Sequence, residues 1–262
     1  MSSTRPRHSG KSRQLTWLFD LDNTLHDASH AIFPAINANM NAYMARVLGD
    51  GETPADAAIV NAVRISYWKR YGATLLGMIR HHNVHAADFL HHAHQFDDLP
   101  AMIRAERGLG RILQRLPGRK ILLTNAPRRY AHAVVRHLGL HRHFASHLPI
   151  ESMMVHRQLR PKPSKALLRK IMRHEKLTAR NTVLVEDTIV NLKSARALGL
   201  RTVWVTQYVM SNPVVSAAAR AAGRKPPPWS APVKRPGYVD VKVQSLGQLP
   251  GQLHRLRQPF QP

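Results

Sequence analysis

Four short apolar runs, each cut off by polar residues, constrain the fold of this 262-residue chain more than any other feature. They are Leu15–Leu21 (LTWLFDL), Lys120–Thr124 (KILLT), Thr182–Glu186 (TVLVE) and Arg201–Thr206 (RTVWVT). Each is too short for a stable helix and rich in aliphatic, β-branched or aromatic residues, which predicts a buried strand. Helical periodicity follows or separates them: Arg128–Leu138, closed by Gly139; Ser164–Glu175, preceded by Pro161 and Pro163; and Asn191–Leu198, stopped by Gly199. Strands alternating with helices of this length predict βαβ crossovers, and so an α/β protein with a central parallel sheet flanked by helices. Phe144–Ile150 predicts a further short strand, Tyr238–Val243 a last one, and Ser245–Leu253 a closing helix.

The alternation is interrupted once. Between the first run and the second, the pattern turns helical over Pro34–Leu48, Pro54–Tyr71 and Ala86–Phe96, with Ala101–Leu116 continuing it. A structureless loop of that length would be anomalous, so an inserted all-helical cap is expected. The resulting division is a disordered basic arm (1–14), an α/β core (15–28 and 100–255), a helical cap (29–99) and a frayed tail (256–262). Within the core, Ser211–Pro236 is rich in Ala, Pro and Arg and is expected to form an extended loop.

Composition narrows the function classes. With no cysteine, the chain has no disulfides, thiolate metal sites or cysteine nucleophile. No run approaches 18 apolar residues, and no apolar segment follows the basic N-terminus, so a cytoplasmic protein without membrane contact is expected. Thirty-nine Lys and Arg against 15 Asp and Glu give a net charge of +24. The excess is spread along the chain rather than gathered in a basic block, which favours attraction of small phosphorylated molecules over dedicated nucleic-acid binding. Nucleic acid remains a partner only through a nonspecific basic surface.

Chemistry gathers where the strands end. Asp20 and Asp22 close the first run, and at strand period two both point to one face, toward the crevice where open α/β sheets bind ligands. Two carboxylates so close repel each other, and a cation such as Mg²⁺ relieves that repulsion. Asp-Asn-Thr is also good turn chemistry, which would leave the pair without a role. Thr124-Asn125 after the second run offers a hydroxyl and an amide to an oxyanion. Lys162, between Pro161 and Pro163, carries an ammonium on stiffened backbone. Glu186-Asp187 ends the run TVLVE, with Asn191 four residues beyond Asp187.

The segments FDLDNTL, LLTNA, RPKP and VEDTIVNLKSA occur in the order found in the haloacid dehalogenase superfamily of phosphohydrolases, which this chain resembles over Leu15 to Thr206. Tyr67–Leu75 (YWKRYGATL) and Leu116–Lys120 (LPGRK) look like bacterial pyrimidine 5′-nucleotidases of its helical-cap branch. The resemblance implies a Rossmannoid core, with Asp20 as nucleophile forming an aspartyl-phosphate and Asp22 as general acid and base. It implies phosphate binding by Thr124, the Asn125 backbone amide and Lys162. Mg²⁺ would be held by Asp20, the Asp22 carbonyl and Asp187, with Glu186 and Asn191 behind them. Asn191 stands where many relatives carry a second acid. Dehalogenase relatives lack a carboxylate two residues after the nucleophile, so Asp22 points to phosphoryl transfer, without separating a phosphatase from a phosphomutase.

For the cap, Tyr67, Trp68 and Tyr71 present aromatics that either stack a nucleobase or form the cap's own core, and Gly72 and Thr74 shape the following turn. Six histidines between His81 and His94 include the pairs His81/His85 and His91/His94 at ligand spacing, but with Asp88 as the sole nearby carboxylate a polar surface is the simpler reading. The expected activity is Mg²⁺-dependent hydrolysis of a nucleoside 5′-monophosphate, with a pyrimidine base expected. The alternatives are another small phosphomonoester, such as phosphoglycolate or a sugar phosphate, or a basic nucleic-acid-binding protein.

Overall fold

The computed structural model describes residues 14–209 and 234–257. The N-terminal arm through residue 13, residue 210 with residues 211–233 of the expected loop, and the tail from residue 258 lie outside the described residues.

Six strands form one parallel sheet: β1 (Thr16–Phe19), β2 (Arg119–Leu123), β3 (Ser146–Leu148), β6 (Thr182–Glu186), β7 (Arg201–Val205) and β8 (Val241–Val243), in the order β3-β2-β1-β6-β7-β8. Successive side chains on the strands alternate between two buried clusters. Trp17, Phe19, Leu122, Val185 and Val203 pack to one side, and Leu18, Ile121, Leu123, Leu184 and Trp204 to the other. Both faces are therefore dry, which is why these strands read as continuous apolar runs rather than alternating ones. Helices α6 (Leu109–Arg115) and α7 (Arg128–His137) contribute to the first cluster, and α8 (Lys165–His174) and α9 (Ile189–Arg196) to the second.

Register fixes where the functional ends meet. Phe19 pairs with Leu122 on one side and Val185 on the other, so the residues after them emerge at one level of the sheet. β1 and β2 approach closely at the opposite end, where Gly118 has φ +98° and a Cβ there would lie 1.9 Å from the Leu15 carbonyl oxygen. Only glycine fits that turn.

The helical block between β1 and β2 comprises α1 (Ile32–Leu48), α2 (Ala57–Tyr71), α3 (Thr74–His82) and α4 (Ala86–Ala93). It has its own buried cluster, built on Tyr43, Met44, Val60, Leu75, Met78 and Phe89 and joined by Ile150 from outside the block.

Several expected boundaries move, each for a visible reason. α2 starts at Ala57 rather than Pro54, because the Asp56 side chain caps it by accepting from Ala58 N. α4 ends at Ala93, short of Phe96. The continuous helix expected over Ala101–Leu116 is two, α5 (Leu99–Met102) and α6. Between them, the Arg104 carbonyl accepts from Asp27 N and Glu106 N donates to the Tyr208 hydroxyl, so the backbone is spent on the connection to the sheet. Ser245–Leu253 is mostly 3₁₀, over Leu246–Gln252 with Pro250 inside, and runs into α10 (Leu253–Arg257). Leu256, assigned to a frayed tail, is 1% exposed and belongs to the core. A hairpin of β4 (Met154–Val155) and β5 (Gln158–Leu159) had no counterpart in the reading of the sequence. Its turn residues His156 and Arg157 take φ +48° and +61° without the Asn-Gly signature that announces such turns. Among the described residues, no helix is long and apolar enough to cross a membrane.

Candidate active site

The loop after β1 is a tight device built from its own side chains. Asn23 sits at φ +57°, a conformation its short polar side chain tolerates. Its Oδ1 accepts from Ala28 N and Ser29 N, closing the loop and fixing the exit of Asp20 and Asp22 from the strand. Asp20 N donates to the Val185 carbonyl, continuing the ladder by one residue, and Thr24 Oγ1 donates to Asp20 Oδ2 at 3.3 Å.

Lys162, in the connection just before α8, meets this carboxylate. Its buried Nζ donates to Asp20 Oδ1 at 2.6 Å and to Glu186 Oε2 at 2.7 Å. Its backbone is clamped to the end of β2: Lys162 N donates to Asn125 Oδ1 at 2.9 Å, and Asn125 Nδ2 donates to the Lys162 carbonyl at 3.1 Å. The Asn125 carboxamide, read in the sequence as an oxyanion donor, is thus occupied as a strut, leaving its backbone N–H for an anion. Thr124 is buried, and its Oγ1 accepts from Ala126 N, so its own hydroxyl hydrogen is left to donate.

Asp20, Glu186 and Asp187 bring carboxylate oxygens within 4.8 Å of one another. Burial pushes the Asp20 carboxyl up to about 8, with repulsion from Glu186 adding to it and Lys162 opposing it. Asp187 is pushed up strongly by burial and by Glu186. Burial would also raise Glu186, but the Lys162 ammonium and hydrogen bonds hold it below the usual carboxylate range. One ammonium is too little charge for two buried carboxylates and the half-buried Asp187, and their hard oxygen donors fit a divalent cation. Among the described residues this is the sole group of three or more His, Cys, Asp or Glu side chains close enough to share an ion.

Asp22 faces the opposite wall. Its Oδ1 accepts from the Tyr130 hydroxyl at 2.6 Å and lies 2.9 Å from His26 Nε2. These bonds outweigh burial and keep the Asp22 carboxyl lowered, while burial and Asp22 together push the Tyr130 phenol well up. Tyr130 and His26 were not picked out in the sequence. His26 is four residues from Asp22, a local signal, whereas Tyr130 is 108 residues away and reaches Asp22 only through the fold.

Asp20, Asp22, Thr124, Asn125, Lys162, Glu186, Asp187 and Asn191 all line one cavity of about 300 Å³. Phe33 and Ile36 of α1, and His94 just after α4, close over it from the helical block. Tyr67, Trp68, Tyr71 and Thr74 do not line it. Tyr67 packs on Gly77 and places its hydroxyl 2.7 Å from His82 Nε2, and Thr74 is buried at the start of α3, donating to the Arg64 carbonyl. Trp68 is exposed. Tyr71 OH lies 2.6 Å from His81 Nε2, and its ring lines a separate cavity. The ring nitrogens of His92 and His94 face carbonyls of α4, and His81 pairs with Tyr71, so the histidines serve local structure rather than a shared ion.

Residues 16–199 match the family model described as haloacid dehalogenase-like hydrolase. A HAD phosphatase from Thermococcus onnurineus superposes with a TM-score of 0.58 at 14% identity, over 93% of this chain and 100% of its own. A haloacid dehalogenase-like hydrolase from Streptococcus pneumoniae gives 0.55 at 12%, over 92% and 99%. L-2-haloacid dehalogenase from Xanthobacter autotrophicus gives 0.50 at 15%, over 91% and 98%. Neighbours named phosphatase and dehalogenase share the architecture, so the fold alone does not choose the bond that is cleaved. The match over most of the chain does settle the family: this protein belongs to the haloacid dehalogenase-like hydrolases.

Proposed function

We propose that the protein is a Mg²⁺-dependent phosphomonoesterase that hydrolyses a nucleoside 5′-monophosphate, with pyrimidine nucleotides preferred, through an aspartyl-phosphate on Asp20. The observation that carries this reading is the convergence of Asp20, Lys162, Glu186 and Asp187 in one cavity, with a further carboxylate, Asp22, at its edge. Asp20, Asp187 and the Asp22 carbonyl would hold Mg²⁺. When bound, the ion supplies the positive charge that keeps Asp20 ionised and offsets charge on the phosphoryl oxygens.

In the first step an Asp20 carboxylate oxygen bonds to phosphorus as the bond from phosphorus to the ester oxygen breaks. The negative charge of the bound phosphoryl group opposes the bonds that keep Asp22 ionised, so that Asp22 takes a proton from solvent when substrate binds and gives it to the departing alkoxide. In the second step the Asp22 carboxylate takes a proton from water, whose oxygen attacks the same phosphorus and frees Asp20 and inorganic phosphate. The Lys162 ammonium, the Thr124 hydroxyl and the Asn125 backbone N–H donate to the phosphoryl oxygens. Nucleotide preference rests on the similarity of the Tyr67–Leu75 segment to pyrimidine 5′-nucleotidases rather than on the cavity itself.

Phosphate release from UMP, CMP, AMP, phosphoglycolate and a sugar phosphate, with Mg²⁺ or with chelator, tests the reading. UMP and CMP should lead, chelation should abolish release, and Asp20→Asn should remove it while the protein stays folded. A different leading substrate replaces the nucleotide assignment, and full activity in Asp20→Asn removes Asp20 from the mechanism.

A further inference from the structure

The way α4 ends fixes how His94 meets the catalytic cavity. Its backbone and its side chain both turn back on the last turn of the helix. His94 N donates to the Leu90 carbonyl at 3.2 Å, and Nδ1 lies 2.9 Å from the same oxygen. A carbonyl can only accept, so Nδ1 carries the proton, and in the neutral ring Nε2 keeps a lone pair. Burial favours that neutral form, holding the ring below the usual imidazole range. Among the described residues Nε2 has no hydrogen-bond partner, and it is not sealed from solvent. The ring itself is held against Tyr130 and Phe96, with centroids 5.4 and 6.4 Å away.

This acceptor stands on the leaving-group side. Displacement at phosphorus is roughly in line, so the departing oxygen lies opposite Asp20, toward Asp22. Tyr130 holds Asp22 and packs on His94. The helical block contributes Phe33, Ile36 and His94 to the cavity, and of these His94 alone is polar. Among the described residues that line the cavity, the one Lys or Arg is Lys162, which already answers Asp20 and Glu186. A leaving group that enters here meets apolar surface, a lone-pair acceptor and the Asp22 carboxylate. A hydroxyl satisfies such an acceptor, whereas a carboxylate is repelled by it and finds no cation of its own.

We propose that His94 is a specificity-determining residue whose Nε2 accepts a hydrogen bond from a sugar hydroxyl of the leaving group. The site then takes phosphomonoesters of hydroxylated alcohols, the ribose of a nucleotide among them, and refuses those with a carboxylate beside the ester. The inference rests on the phosphomonoesterase reading and adds to it the group that reads the alcohol. An analogue without the hydroxyl leaves the acceptor unpaired in a site closed over by the cap, which is how one hydrogen bond becomes discrimination.

The test compares kcat/KM for UMP, its 2′-deoxy and 3′-deoxy analogues and phosphoglycolate in the wild-type protein, His94→Phe and His94→Gln, with folding checked by circular dichroism. Phe keeps a ring against Tyr130 and Phe96 but has no acceptor, and Gln restores an amide oxygen on a side chain of similar reach. In the wild type at least one deoxy analogue should fall roughly tenfold below UMP, and phosphoglycolate should fall further. In His94→Phe the ratio of UMP to that analogue should drop to about one, and His94→Gln should recover part of it. A purely structural role, acting through Tyr130, would lower every substrate together and leave the ratio intact; that result overturns the proposal. Equal values for UMP and both deoxy analogues in the wild type, or a preference for phosphoglycolate, overturn it as well. If no substrate releases phosphate, the phosphomonoesterase reading fails and takes this inference with it, whereas release without discrimination overturns the inference alone.

Discussion

Asp22 is held by two groups, and that sets how it can work. The Tyr130 hydroxyl and His26 both address the same oxygen, Oδ1, and neither holds Oδ2. Tyr130 is buried and its ring lies against both His26 and His94, so it acts as a positioning residue that fixes the carboxylate's rotation. Tyr130→Phe removes one hydrogen bond to a charged group, typically about 1.5–3 kcal/mol, while keeping the ring's packing. Steady-state kinetics should show kcat lowered by roughly tenfold or more with KM little changed. An unchanged kcat would show that His26 alone suffices. At this scale the sequence was legible wherever chemistry followed a strand end: Asp20, Asp22, Thr124, Lys162, Glu186, Asp187 and Asn191 do converge. Tyr130 was not legible, because within α7 it is one more apolar-face residue, and nothing local distinguishes it from a core tyrosine.

At the scale of elements, the block over the site depends on how closely α2 and α3 approach. Gly77 of α3 lies directly under the Tyr67 ring of α2, and a Cβ at that position would come within 2.2 Å of Tyr67 Cγ. In an open helix, Gly→Ala is favourable by about 1 kcal/mol. Here the ring must move, and overpacking of about 1–3 kcal/mol outweighs that gain. Gly77→Ala should therefore lower the urea midpoint without altering the slope of the transition, whereas a raised midpoint would mean that the helices do not pack this way. The same contact explains why the aromatic segment resisted reading. Helical spacing places Tyr67 and Tyr71 on one face, but whether that face meets a ligand or another helix is decided by α3, whose approach hinges on a glycine. The sheet was readable because its strands are buried on both faces. The β4–β5 hairpin, two residues a side with no glycine in its turn, lacks every sequence cue on which a strand assignment rests.

For the whole molecule, a chain of net charge +24 folds so that, among the described residues, the group of carboxylates close enough to share an ion lies at the ends of its central strands. The surrounding positive field favours anionic substrates, and the acidic cluster, paired among the described residues with Lys162 alone, fits a cation. Sequence order carried that arrangement only implicitly, since parallel register is what brings the ends of β1, β2 and β6 to one level. In the proposed mechanism Asp20 becomes covalently phosphorylated during turnover. Acid quenching of the wild-type protein with UMP labelled at phosphorus, in the presence of Mg²⁺, followed by peptide mass spectrometry, tests it most directly. The account predicts label on the peptide containing Asp20, absent with chelator and absent in Asp20→Asn. Label on another residue, or turnover undiminished in Asp20→Asn, would contradict it.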